Sequence, residues 1–180
     1  MNYFILGLLF FMSGFFMKIS DDAFDENEDL IMATIFGVLC ALASGAAVVI
    51  DSGAAYIFIG ILVGNLIALK IDGIHHWITL ILFILISLIF GLPDLSLAIA
   101  LVCILAAFSD EVGHELIANY TENMFLILFF EYRFIMKIVI FLLALFGFIS
   151  FWTFIFFILF ELSYVMAGWF FEKIVIKENY

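Results

Sequence analysis

Residues 2–17, 30–50, 52–69, 77–93, 95–109 and 138–160 pass without a single Asp, Glu, Lys or Arg. No soluble core accommodates so many uncharged runs of that length. A bilayer does, because a helix closes its own backbone hydrogen bonds and about 20 apolar residues cross the hydrocarbon layer. The chain is 68% hydrophobic, against roughly 45–50% in soluble domains. The expected fold is therefore an all-α, polytopic transmembrane helical bundle, forming one membrane domain over 1–180.

The runs divide into seven expected spans, near 2–18, 30–50, 54–70, 76–92, 95–108, 134–149 and 151–171. The last stretch is too long for one crossing, and Gly147 and Ser150 mark its division. Tight turns are expected at Asp51-Ser52-Gly53 and Pro93-Asp94. The segment 110–133 holds Asp110, Glu111, His114, Glu115, Glu122, Glu131 and Arg133 around a short apolar run. It reads as a cytoplasmic surface helix followed by an interfacial segment. The first run lacks a basic leader and a small-residue cleavage site, so it reads as a retained helix rather than a signal peptide.

Six basic residues orient these spans: Lys18, Lys70, Arg133, Lys137, Lys173 and Lys177. With seven crossings all six fall on one face, which the positive-inside rule makes cytoplasmic. The amino terminus is then outside and the carboxy terminus inside. An eighth crossing at 112–132 would divide the basic residues between the two faces. The expected location is a prokaryotic cell membrane.

The net charge of −11 excludes the basic footprint of a nucleic-acid binder. The position of the acids matters more than their sum. Three clusters lie at span ends on the same face: Asp21, Asp22 and Asp25; Asp72, His75 and His76; Asp110, Glu111 and His114. All three histidines of the chain are among them. Carboxylates gathered on one helix face repel unless a cation or shared protons compensate. These nine residues are the candidate metal ligands, with Mg²⁺, Mn²⁺ or Zn²⁺ as the divalent cation. Asp72-x-x-His75 and Glu111-x-x-His114 repeat a spacing that di-iron bundles use, because positions i and i+3 project together. A carboxylate beside an imidazole also makes a general base near neutrality. Asp72, His75, Glu111 and His114 are thus the candidate catalytic residues. Acidic loops and interfacial histidine anchors would use the same residue types with no chemistry.

Arg133 and Lys137 lie four apart and could present two cations to a substrate phosphate. Topological anchoring explains them equally. Asn65 and Glu161 lie inside spans, where a polar group should face the bundle and be paired. Cys40 and Cys103 lie in apolar runs and read as packing residues. Ala33, Gly37, Ala41 and Gly45 in the second span, with Gly60 and Gly64 in the third, form small-residue stripes. Such stripes let helices approach closely in lipid. The expectation is a crossing of these two spans, or a homodimer face.

The run Asp21-Asp22-x-x-Asp25 resembles the aspartate-rich motif of membrane prenyltransferases, without the asparagine of that motif. The stretch from Asn65 to Ile74 resembles polyprenyl-phosphate sugar-1-phosphate transferases, without their second Asp-Gly. Seven spans with three histidines are similar to membrane zinc amidases of the ceramidase type, without the His-x-x-x-His pair. Each match covers a few residues, and no role is carried over from it. Taken together, the residues favour a divalent-metal-dependent enzyme acting on a lipid or polyprenyl phosphate at the cytoplasmic face. One alternative is a small-solute or ion transporter with Glu161 and Asn65 in its path. Another is a structural membrane subunit without catalysis.

Overall fold

The computed structural model describes residues 2–71, 73–120 and 122–173, leaving aside the side chains of 118 and 119. Among them it is 85% helical with no strand. The helices are α1 (Tyr3–Asp25), α2 (Leu30–Ile50), α3 (Ser52–Ile67), α4 (Ile74–Phe90), α5 (Leu97–Tyr120), α6 (Met124–Glu131), α7 (Phe134–Leu145) and α8 (Phe151–Phe171). Four of them, α1, α2, α5 and α8, are long and apolar enough to cross a membrane. Helices α3, α4 and α7 are shorter but equally apolar.

Short polar side chains set most of the boundaries. Asn2 and Asp29 cap α1 and α2 by accepting the amides of Phe4, and of Ile31 and Met32. Asp51 ends α2 and starts α3 at once, its Oδ1 accepting the Ala54 amide at 2.8 Å. Asn123 caps α6 and Ser150 caps α8. Gly147 takes φ +77° between α7 and α8, a left-handed conformation open to glycine at little steric cost. This is the division expected from the sequence.

The segment 110–133 differs from expectation. No separate surface helix begins at 110. Helix α5 continues through Asp110, Glu111 and His114 to Tyr120, because the acids on its last turns all find partners within the bundle. Only α6 stands apart. Its 8 residues span about 12 Å, too short for the ~30 Å hydrocarbon layer.

Helix α1 packs between α2 and α8; α4 lies on α2, α3 on α5, and α7 bridges α5 and α8. The small-residue stripes do not pair α2 with α3. A Cβ added at Gly37 would meet Thr79 Oγ1 of α4 at 2.3 Å, and at Gly45 it would meet Ile86 of α4 at 2.9 Å. Gly60 and Gly64 instead seat Cys103 and Ala107 of α5, at 3.0 and 2.8 Å. The stripes expected to cross each other, or a second copy, thus serve two internal pairs, α2/α4 and α3/α5. The core runs through Leu6, Phe10, Ala41, Val48, Ile57, Phe83, Ile140 and Phe157. Outer faces stay apolar, as at Phe4, Ile31, Leu88 and Ile89. That suits contact with lipid tails rather than water.

One end of the bundle is tied shut. Asp51 accepts Thr153 Oγ1 of α8 at 3.4 Å, and the Tyr3 ring lies 5.4 Å from Trp152. Tyr56 accepts the Ser96 amide at 2.7 Å nearby in the fold. The other end gathers the charged residues.

A polar cavity at one end of the bundle

A cavity of about 410 Å³ opens at the charged end. Its polar wall comes from Lys18, Ser20, Asp21 and Asp25 on α1, Asn65 on α3, Lys70, His76 and Thr79 at and beyond the α3–α4 turn, Glu111 and His114 on α5, Arg133, and Tyr164 on α8. Its deeper wall is apolar, with Phe58, Ile61, Leu62, Leu80 and Phe83. Residues from all three acidic clusters therefore meet at one cavity.

The closest grouping is Asp21 with His75 and His76, whose ligand atoms all lie within 4.8 Å of one another. Among the described residues this is the group compact enough for an ion. Two local features build it. Asp21 leaves α1 toward α8, where its Oδ2 accepts the Tyr164 hydroxyl at 3.3 Å. Gly73 precedes α4, and a Cβ there would strike the His75 ring at 2.4 Å. Glycine is what lets that ring fold back beneath the helix start. The His75 ring is buried, lying 4.6 Å from Phe24 and 3.9 Å from His76 between centroids. Tetrahedral Zn²⁺ with ligands at about 2.1 Å sets neighbouring ligand atoms about 3.4 Å apart. The three side chains would draw in by roughly an ångström on binding. One carboxylate with two imidazoles suits Zn²⁺ or Mn²⁺ better than Mg²⁺, which prefers oxygen.

The other expected ligands divide. Asp25 lines the cavity but lies outside the compact group. Asp22 pairs with Lys18 at 2.7 Å, one turn back on α1, and lies outside the compact group. Asp110 is turned to a structural task. It is fully buried, and its two oxygens accept the amides of Ile135 and Met136 at 3.0 and 2.7 Å. It caps α7 from another helix, so both oxygens are engaged. Glu111 binds Arg133 Nε at 2.8 Å, and His114 Nδ1 lies 3.5 Å from Glu131. The Glu111/His114 pair thus turns to two different partners instead of converging on one ion. Asp72 lies outside the described residues.

Arg133 and Lys137 also part company. Arg133 sits at φ +48° ahead of α7, lines the cavity and stands 5.8 Å over the Tyr164 ring. Lys137 turns away to Glu161 at 2.9 Å and donates to the Tyr132 carbonyl. Glu161, singled out as an intramembrane acid, is therefore paired, as its cost in hydrocarbon requires. Asn65 lines both the main cavity and a smaller pocket of about 60 Å³ beside Glu161.

Five residues of the polar wall were not expected as site residues from the sequence: Lys18, Ser20, Lys70, Thr79 and Tyr164. Tyr164 carried a usable signal. It is a tyrosine in a phenylalanine-rich helix, and a buried hydroxyl finds a partner. Set beside known proteins, the chain matches no family model, no curated protein and no solved structure.

Proposed function

We propose that this chain is a seven-span membrane enzyme, with a divalent-metal centre at its cytoplasmic end acting on a lipid or polyprenyl phosphate. The observation that carries the reading is the Asp21–His75–His76 group, of which Asp21 and His76 line a cavity that also holds Lys18, Lys70 and Arg133. A metal there would draw electron density from a phosphate, and the cations would neutralise its remaining charge.

The topology supports that placement. The carboxyl ends of α1, α3, α5 and α8 and the amino ends of α4 and α7 reach the cavity. That is the alternation seven crossings would have, with α6 in the interface; α7, with 12 residues, covers about 18 Å of the layer. Lys18, Lys70, Arg133, Lys137 and Lys173 then share this face, which makes it cytoplasmic. Lys177 lies outside the described residues. Cysteines at the exposed positions Glu26 and Glu115 should label from the cytoplasm, and one at Asp94 from outside. Labels at 26 and 115 on opposite faces would overturn the topology.

The metal centre is tested on purified protein stripped with chelator. Zn²⁺ or Mn²⁺ should bind in one equivalent and raise the unfolding temperature. At a hundred times Kd, linkage gives about 2.7 kcal/mol. Asp21→Asn and His76→Gln should each lose most of that gain. No bound ion and no stabilisation by Zn²⁺, Mn²⁺ or Mg²⁺ would remove the basis of the enzyme reading.

A further inference from the structure

Tyr164 is the point where the wall of the cavity meets the compact group. Its hydroxyl donates to Asp21 Oδ2 at 3.3 Å, and its ring carries two cations. Arg133 Cζ stands 5.8 Å from the ring centroid and Lys18 Nζ 5.4 Å from it, within the ~6 Å reach of cation–π attraction. Each cation is held in turn by its own acid. Arg133 Nε meets Glu111 of α5 at 2.8 Å, and Lys18 meets Asp22 at 2.7 Å. Lys18 belongs to α1, the helix that carries Asp21 itself. Arg133 comes from the turn between α6 and α7, so it ties Tyr164 of α8 to Glu111 of α5.

The backbone at Arg133 is strained. The residue follows the Tyr132 cap of α6 and takes φ +48°, a left-handed conformation that glycine or asparagine adopts with less strain. What an arginine adds there over glycine is its side chain. The Glu111 side chain it meets is only 7% exposed, so the pair is not a loosely solvated contact. A guanidinium can lie against an aromatic face and hold a carboxylate at once, because its fork is planar and rigid. A ligating carboxylate needs support of this kind. A donor on one oxygen fixes the rotation of the group and leaves lone pairs for the ion.

We propose that Arg133 is a positioning residue of the metal centre. Held by Glu111, it fixes the Tyr164 ring, and the Tyr164 hydroxyl holds the Asp21 carboxylate toward His75 and His76. This rests on the metal-centre reading above and adds the residues that set its geometry. Glu111, from the third acidic cluster, then serves the centre without ligating it.

The test uses Co²⁺, whose visible spectrum reports coordination geometry at a Zn²⁺ site, on chelator-stripped full-length protein in detergent. Zn²⁺ affinity is measured by competition against Co²⁺. Arg133→Met should weaken Zn²⁺ binding about tenfold, the lower end of the loss when the support of a metal ligand is removed. At saturating Co²⁺ it should also weaken the intense tetrahedral bands, because Asp21 no longer keeps its place. A role confined to stability would lower the unfolding temperature and leave the saturated spectrum unchanged, and that result overturns the proposal. Should Arg133→Met fail to fold with Glu111 stranded, Glu111→Gln/Arg133→Met removes both charges and carries the same expectation. In a Tyr164→Phe background Arg133→Met should cost little further affinity, since its effect passes through that hydroxyl. Full additivity of the two changes also overturns the proposal. Failure of the original protein to bind either ion would sink the metal centre itself, and this role with it. Binding that Arg133→Met leaves untouched would sink the positioning role alone.

Discussion

Gly14 links the packing of the bundle to the geometry of the metal group. It lies on α1 against α8, where a Cβ would fall 2.2 Å from the Phe160 carbonyl oxygen and 2.4 Å from Ser163 Oγ. Ordinary carbon–oxygen contacts begin at about 3.3 Å, so Gly14→Ala requires α1 and α8 to part by roughly 1 Å. The obstacle is backbone, so no rotamer change relieves it. Overpacking of this kind costs about 1–3 kcal/mol. Asp21 lies seven residues on, two turns along nearly the same face of α1, and it reaches Tyr164 on the same α8. The displacement should therefore pull Asp21 from His75 and His76 as well as loosen the fold. Gly45→Ala is the control, because its nearest obstacle is the Ile86 side chain at 2.9 Å, which can turn. Thermal unfolding in detergent and Zn²⁺ titration, run on both variants, measure the two effects. Gly14→Ala should lose both stability and metal affinity, and Gly45→Ala should lose much less of either. Equal behaviour of the two variants would refute the argument from the α1/α8 seam.

Asp110→Ala should cost about 0.5–2 kcal/mol, the range for a lost helix cap, and speed hydrogen exchange at Ile135 and Met136; unchanged exchange there would refute its capping role. Lys137→Met alone should destabilise strongly, because it leaves Glu161 partly buried without its cation. Adding Glu161→Gln should restore most of the loss, and a double-mutant cycle with no coupling would count against the pair. Tyr164→Phe removes the hydroxyl that Asp21 accepts, so it should alter Zn²⁺ affinity while leaving the unfolding free energy of the metal-free protein within about 1 kcal/mol of the original.

Most helix positions were legible because they follow from local rules. Apolar runs gave the helices, the Asp51-Ser52-Gly53 turn gave the break between α2 and α3, and Gly147 with Ser150 gave the division of the tail. The end of α5 was not legible in this way. A charged residue after an apolar run looks like the edge of the membrane, but Asp110 and Glu111 have partners on α7 and at Arg133 that only the folded chain supplies. Helix pairing was also hidden. A stripe such as Gly37 and Gly45 says that one face is shallow, not which helix fills it. The individual acids were hidden for a related reason. Asp21 and Asp22 differ by one residue, about 100° of helix rotation. That difference sends one to the histidines and Tyr164, and the other to Lys18. Nothing in their types distinguishes them until the face of α1 that meets α8 is known.

The same geometry weighs catalysis or binding against transport. A transporter needs a path that can open to both sides. Beneath the cavity Phe10, Phe58 and Phe160 form a packed aromatic layer, with Phe58 centroids 5.0 Å from Phe10 and 5.7 Å from Phe160. Beyond it the far end is held by Asp51 with Thr153 and by Tyr3 with Trp152. Glu161, the acid a conducting path would use, is held by Lys137. Transport would have to part an apolar layer, a buried cap and an ion pair together. If Phe58→Ala opened the layer, a substrate-binding protein would lose affinity at the cavity floor without gaining flux. A transporter would gain leak across liposomes. Proton or cation leak from Phe58→Ala liposomes, absent from the original protein, would therefore favour the transport reading over the one argued above.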